Sequence, residues 1–252
     1  MKRIESLRRG LQVMQLLRDE APLSLAALAR RSGLAKATLL RILVTLEDSG
    51  HARRGLGDGL WHAAGPVAEE TDPDRRLTQV CGPLLDQLCQ KVLWPSDVGV
   101  YHGGSIRVLE TSRRVSPFLV NRVVNYGIHV LPSAMGRAVL AWASDADRAQ
   151  ILADLRNSAE PHDRLAAHPD KVEELIGDTR ARGYAVRHPG YFVTVPREAL
   201  VSAIAVPVMV QERAIAAVNL SWVASAQSEA DFATAHLERL QQVAADIARA
   251  YA

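Results

Sequence analysis

The chain has 252 residues, with 30 Lys+Arg against 28 Asp+Glu, 48% hydrophobic and 5% aromatic residues, and 2 Cys. Against a prior of about 100 to 200 residues per domain, this length predicts two domains or one large one. The near-average apolar and charged fractions exclude collagen-like, disulfide-scaffold and wholly disordered classes. The formal charge of +2 hides an asymmetry: residues 1–64 hold 11 Lys+Arg and 6 Asp+Glu, whereas residues 65–252 hold 19 and 22. A basic front and a mildly acidic back point to a polyanion-binding first domain.

In chain order, the first element is an amphipathic helix from Ser6 to about Arg18, whose Leu7, Leu11, Met14 and Leu17 recur at helical spacing and predict its buried stripe. After Ala21 and Pro22, Ser24 is placed to N-cap a short helix ending near Ser32 and Gly33. A further helix starts near Ala35 to Ala37, turns Leu39, Ile42, Leu43 and Leu46 to one side, and closes at Ser49 and Gly50. Two short helices joined by a glycine turn form a helix-turn-helix. The stretch HARRGLGDGLWHAAG then reads as a β-hairpin wing.

Glu69 to Asp74 (EETDPD) is the linker candidate, followed by an amphipathic helix over about Arg75 to Val92. This predicts a winged helix-turn-helix domain over residues 1–66, a linker and dimerisation helix over 67–92, and a second domain over 93–252. Strands are expected at Asp97–Tyr101, Ile106–Thr111, Pro117–Val120, Val201–Val208 and Ala214–Trp222. Helices are expected at about Ser133–Ala143, Asp145–Asp154, Asp170–Arg182 and Glu229–Tyr251. The second domain is therefore α+β, with a mostly antiparallel sheet and helices packed on it. Cys81 and Cys89, eight residues apart in a helix, would lie roughly 12 Å from one another, beyond the roughly 7 Å a disulfide bridges, which predicts reduced thiols. No apolar run approaches the roughly 18 residues of a spanning helix, and the basic N-terminus lacks a leader's cleavage site. The expectation is a cytoplasmic protein with no membrane association.

The helix-turn-helix carries the clearest chemistry. Its second helix would enter a major groove about 12 Å wide and present Lys36, Ala37, Thr38, Leu40 and Arg41. Arg41 suits either a bidentate contact to guanine or a phosphate clamp, and Leu40 offers only apolar contact to a thymine methyl. Arg53 and Arg54 on the wing, with Lys2, Arg3, Arg8 and Arg9, would add sequence-independent phosphate affinity. The plainer alternative is a small helical bundle with solvated arginines; the glycine turn, hairpin and local charge together favour DNA binding.

With these residues in view, the chain resembles the IclR-type transcriptional regulators. The resemblance rests on SLAALARRSGLAKATLLRILVTLEDSG and, further on, LPSAMGRAVLAW, ARGYAV, SAIAVPV and AAVNLSW, in the family's order along almost the whole chain. LWPSDVGV with FLVNRVVNYGIHVLP resembles, over fewer residues, the branch regulating catabolism of phenylpropionate-type aromatic acids. The resemblance implies a GAF-like effector-binding domain, a homodimer or dimer of dimers, a palindromic promoter site on double-stranded DNA, and a small organic acid effector. RNA polymerase is a further partner if the protein activates. It also implies a pocket built from Leu131, Ser133, Ala134, Met135 and Gly136, from Asn219 and Ser221 of the last strand, and from Ala203 of the strand before. Here Arg137 replaces the common lysine, Ala203 stands where many members have cysteine, and Asn219 where serine is usual. Arg187, where some relatives carry an acidic residue, becomes a candidate carboxylate partner and the adjacent His188 a pocket donor.

Read without the resemblance, Ser133 is either an ordinary helix cap or part of an anion site at a helix N-terminus. Asn219 and Ser221 alternate in an apolar strand, so both face one side and need either a ligand or neighbouring backbone as partner. Trp94, Tyr101, Tyr126, Tyr191, Phe192 and Trp222 are candidates for an aromatic pocket wall or for plain core. No phosphate-binding loop or nucleophile elbow is present. The His residues, His162 and His168 among them, lack metal-ligand spacing. Neither a cofactor nor a metal is expected, and the chain is read as a regulator, not an enzyme. The alternatives are an enzyme acting on a small acid with an accessory DNA-binding module, and a ligand-independent dimeric DNA-binding protein.

Overall fold

The computed structural model describes residues 3–117, 127–192 and 200–252. The chain divides into two compact units between Gln79 and Val80.

In the first unit, α1 (Glu5–Glu20), α2 (Leu25–Ser32) and α3 (Lys36–Asp48) precede a hairpin of β1 (Ala52–Arg54) and β2 (Trp61–Ala63). Leu23 bridges to Trp61 as a short third strand. Local signals set the boundaries: the Ser24 hydroxyl accepts the Ala27 N–H at 3.1 Å, and Gly33 ends α2 at φ +69°, a left-handed position that favours glycine. Val13, Leu17, Leu28, Leu39, Leu43 and Trp61 form the core. The stripe expected on α1 is corrected here. Val13 and Leu17 face inward, while Leu7 (57% exposed) and Leu11 (51%) join Ile4 (66%) in an apolar row on the outside. Both rows have helical spacing, so periodicity alone does not choose between them.

The helix α4 (Pro73–Val92) begins two residues before the expected start, because Asp72 Oδ1 accepts the N–H groups of Asp74 at 2.9 Å and Arg75 at 3.2 Å. Pro83 lies inside it. Its missing N–H deprives the carbonyl four residues back, that of Gln79, of its helical donor, at the residue where the two units divide.

The second unit is built on a six-stranded antiparallel sheet in the order β5-β4-β3-β8-β7-β6. The strands are β3 (Ser96–His102), β4 (Ser105–Thr111), β5 (Gly127–His129), β6 (Ala185–Val186), β7 (Val201–Val210) and β8 (Arg213–Val223). On one face, α5 (Ala134–Trp142) buries Ala138 and Met135 against Ile106, Val108, Ala203, Ala205 and Ala217, with residues of α6 (Asp145–Arg156) and α7 (Pro169–Arg182) completing that core. Gly99 lets α5 approach, since a Cβ there would lie 2.6 Å from Ile106 Cγ2 and 3.4 Å from Met135 Sδ. On the other face, Trp222 of β8 stacks on Phe232 of α8 (Glu229–Tyr251) with ring centroids 3.8 Å apart. The edge strands β5 and β6 are absent from the sequence reading, being only three and two residues long. The expected strand at Pro117–Val120 lies outside the described residues from Phe118 onward. The polar loop around His162 contains a 3-10 helix, Pro161–Ala167.

Candidate functional site

On α3, Lys36, Ala37, Leu40 and Arg41 are exposed on one side while Leu39 and Leu43 are fully buried on the other. Thr38 is half-buried. Val44, one turn beyond Leu40, is 46% exposed beside Leu40 at 45%, so the outward face carries an apolar pair next to its two cations. The sequence reading missed Val44, although the i, i+4 spacing from Leu40 signals it.

The wing is organised by Asp58. Its Oδ1 accepts the Leu60 N–H at 2.8 Å and its Oδ2 meets His62 Nε2 at 2.9 Å. Burial raises the Asp58 pKa, but the hydrogen bonds from His62 and Leu60 outweigh it and hold the carboxyl below its usual range. Arg54 remains exposed, with Nε donating to the Gly59 carbonyl at 3.2 Å, and Arg53 is half-buried. Arg8 and Arg9 are engaged by Glu5, at 2.5 Å and 3.2 Å, which leaves less free positive charge on α1 than composition implied. Arg3 is exposed, and Lys2 lies outside the described residues.

In the second unit, Asn219 and Ser221 do face one side, as alternation predicted, and they do so in company that the sequence reading did not name. Asp97 and Arg113 form a buried ion pair, Nε to Oδ1 at 2.9 Å and Nη2 to Oδ2 at 2.7 Å. Asn219 Oδ1 accepts the Asp97 N–H at 2.8 Å, and its Nδ2 donates to Asp97 Oδ2 at 3.0 Å. Arg113 Nη2 also donates to Ser221 Oγ at 3.1 Å, and the Thr111 hydroxyl donates to Asp97 Oδ1 at 2.7 Å. The alternative of a purely backbone partner for Asn219 and Ser221 is thus only partly realised: most of their bonds go to this pair. A charge inside the apolar strand SDVGV was the available signal.

Strand pairing joins this network to the other named residues. Ala203 is the cross-strand partner of Ser221, the Arg187 N–H donates to the Ala203 carbonyl at 2.9 Å, and the His188 N–H donates to the Pro132 carbonyl at 2.9 Å, one residue before Ser133. Ser133 caps α5, its hydroxyl accepting the Gly136 N–H at 3.0 Å. Leu131, Ala134 and Met135 are buried in the core beside it. Gly136 is required, because a Cβ would lie 2.1 Å from the Val130 carbonyl oxygen. Arg187 is buried, with Cζ 4.7 Å from the Tyr191 ring centroid and Nη2 donating to the Tyr191 carbonyl. His188 is exposed. Arg137 donates to the carbonyls of Leu131 at 2.6 Å and Val186 at 3.0 Å, tying β6 to the turn before α5. Burial, aided by Arg182, brings its pKa down to about 10.

Two aromatic candidates fall elsewhere. Trp94 packs edge-on against Phe232 at 6.1 Å, and Trp222 stacks on the same ring, on the sheet face opposite Ser221. Tyr101 donates from its hydroxyl to Asp154 Oδ2 at 2.5 Å. Tyr191 reaches β5, where its hydroxyl accepts the His129 N–H at 3.0 Å. Phe192 is 40% exposed, and Tyr126 lies outside the described residues. Cys81 and Cys89 are buried and form no disulfide among the described residues. No helix among the described residues is long and apolar enough to cross a membrane.

A helix-turn-helix with a hairpin wing, coupled to an α+β unit of GAF-like form, defines a DNA-binding transcriptional regulator with an effector-binding domain. The model for the IclR helix-turn-helix domain matches residues 6–55, and that for the bacterial transcriptional regulator IclR C-terminal region matches residues 73–249. The chain belongs to the IclR family. It is similar to the HTH-type transcriptional regulator BhcR of Paracoccus denitrificans, 30% identical over 198 residues that cover 74% of this chain and 69% of the relative. It is also similar to the glycerol operon regulatory protein of Streptomyces coelicolor, 26% identical over 73% of each chain. The same fold occurs in an IclR family transcriptional regulator from Brucella abortus (TM-score 0.55, 19% identity, 99% of this chain and 93% of that one). It recurs in an IclR homolog complexed with 4-hydroxybenzoate from Microbacterium hydrocarbonoxydans (TM-score 0.54, 23% identity, 98% and 99%).

Proposed function

We propose that this regulator senses a small organic acid of the aromatic class and controls catabolic genes through a palindromic promoter site. The observation that carries the reading is the chain of contacts linking the buried Arg187 through Ala203 to Ser221, and through His188 to the N-terminal turn of α5. A guanidinium, here over the Tyr191 ring, and a helix N-terminus, where amide dipoles favour negative charge, are each chemistry that takes a carboxylate, and the backbone of Arg187 and His188 ties the two segments together. Asn219, Ser221 and the Asp97–Arg113 pair offer polar contacts near that end of the sheet. The Microbacterium homolog's complex with 4-hydroxybenzoate supports an aromatic acid.

DNA would be read by Lys36, Ala37, Thr38, Leu40 and Arg41, with Arg53 and Arg54 on phosphates. A palindrome needs two recognition helices, hence a homodimer or dimer of dimers. The outward row Ile4, Leu7 and Leu11 supports a self-association face on α1, beside the part assigned to the linker and dimerisation segment, residues 67–92. Acid binding would shift the balance between DNA-competent and incompetent arrangements, which requires about 1 to 3 kcal/mol of coupling. RNA polymerase is the further partner if the response is activation.

A thermal-shift screen of aromatic and aliphatic carboxylates tests the effector reading, since a ligand of the native state raises stability by mass action. An aromatic acid should raise Tm in the native chain and much less in Arg187→Ala, with operator binding retained. An unchanged midpoint in Arg187→Ala rejects that residue. No response to any acid favours a dimeric DNA-binding protein without effector, and turnover of the acid favours an enzyme.

A further inference from the structure

Among the described residues of the first unit, large apolar side chains stand in the open on two helices, as Ile4, Leu7 and Leu11 on α1 and as Leu40 and Val44 on α3. The two sets differ in their electrostatic company. On α1, Arg8 and Arg9 are held by Glu5. On α3, the stretch from Lys36 to Val44 (KATLLRILV) has two cations and no acidic residue. Ala37, Leu40 and Val44, spaced i, i+3 and i+7, form an exposed apolar stripe on the side that carries Lys36 and Arg41. Such a stripe, flanked by positive charge, suits a partner that is anionic yet carries apolar spots. The major groove is such a surface, with phosphates along its rims and thymine C5-methyl groups on its floor.

The polar groups on this side are either spent or of one kind. The Thr45 hydroxyl donates to the Arg41 carbonyl at 2.9 Å, and Glu47 accepts the Arg54 N–H at 3.1 Å. No Asn or Gln lies between Lys36 and Val44, so this stretch lacks the bidentate contact that reads adenine. Lys36 and Arg41 donate only, which suits guanine or phosphate. An A·T pair is left to be recognised by its methyl group.

We propose, resting on the reading of α3 as the helix that enters the groove, that Leu40 and Val44 are specificity-determining residues that together require two thymine methyls in each operator half-site. Four residues of helix rise about 6 Å, and two base-pair steps rise about 7 Å. The two thymines therefore lie within two base pairs of one another.

The full chain is used to select duplexes from a random pool, and the selected site is remade with each thymine in turn replaced by uracil, which removes only the methyl. Fluorescence anisotropy reads the affinity. Two thymines per half-site should each be worth about fourfold, the burial of one methyl. Leu40→Ala should abolish the discrimination at one of them and Val44→Ala at the other, and alanine at an exposed helical position keeps the helix. Arg41→Ala separates the two levels of the reading. If it weakens the selected site while uracil is tolerated throughout, α3 reads DNA without the methyls and the proposal is overturned. The same holds if the uracil loss persists undiminished in Leu40→Ala and Val44→Ala, as an effect on duplex shape would. If the chain selects no site, or if all three variants bind the selected site as the native chain does, α3 is not in the groove and both readings fall. A changed oligomeric state in the two apolar variants, with thymine discrimination intact, assigns the stripe to a protein surface and also overturns the proposal.

Discussion

Asp97 and Arg113 are joined by two parallel hydrogen bonds, 2.9 Å and 2.7 Å, with each side chain only 3% exposed. Sixteen residues apart in sequence, they are the charged centre around which Asn219, Ser221 and Thr111 are arranged. Removing one member of a buried pair strands the other charge. Arg113→Met or Asp97→Asn should therefore each cost about 3 to 5 kcal/mol, measured by urea denaturation. The double substitution should cost clearly less than the sum; full additivity would mean that the two side chains are not energetically coupled.

Two glycines in helices of the same unit should respond in opposite directions. At Gly136 an added Cβ meets the Val130 carbonyl oxygen at 2.1 Å and its Cα at 2.4 Å, and backbone does not yield as a side-chain tip does. Gly136→Ala is expected to destabilise by about 3 kcal/mol. At Gly177 in α7 nothing lies within 4 Å, so Gly177→Ala should stabilise by about 1 kcal/mol through helix propensity. Thermal denaturation of the two variants side by side checks both signs.

The β7–β8 hairpin turns on Gln211 and Glu212, at φ +48° and +62°, between the paired Val210 and Arg213. Side chains at two successive left-handed positions are strained, and two-residue hairpins of this kind favour Asn-Gly. Replacing Gln211-Glu212 by Asn-Gly should raise stability by about 1 to 2 kcal/mol. A fall in the denaturation midpoint would show that these two side chains make compensating contacts.

The wing should loosen in acid. Asp58 is held below its usual pKa in the folded hairpin, so its contribution is complete above the unfolded value of about 4 and is lost as pH falls through the lower folded value. Hydrogen exchange at the Leu60 amide, which donates to Asp58, should gain protection as pH rises through this window, after correction for intrinsic rates. Asp58→Asn should abolish that gain; if the variant keeps it, another group controls the turn.

DNA contact divides by residue type. Arg41→Ala should weaken operator binding, and Arg54→Ala should weaken all sequences alike and reduce the dependence of log K on log salt by about one unit. Electrophoretic mobility or anisotropy titrations across a salt series check this, and a sequence-selective loss in Arg54→Ala would assign it to a base instead of a phosphate.

The residues' order by itself determined what local interactions control. The helix-turn-helix was legible because Ser24 caps its own helix, Gly33 takes a left-handed turn, and Leu39 and Leu43 lie one helical turn apart. The long strands of the second unit and the helix Glu229–Tyr251 were legible in the same way, and the structure adds a Ser228 cap to that helix. Tertiary structure alone decided what long-range contacts control. Asn219 meets Asp97 across 122 residues of chain, and β5 and β6 are too short to show a period and exist only because β4 and β7 pair with them. Even on α1, where spacing was plain, the choice between an inward Val13 and an outward Leu7 was made by the surface that the rest of the domain presents. Local patterns specify elements because their partners are a few residues away. Which polar groups share a buried site depends on loop closures and packing that no window of sequence contains.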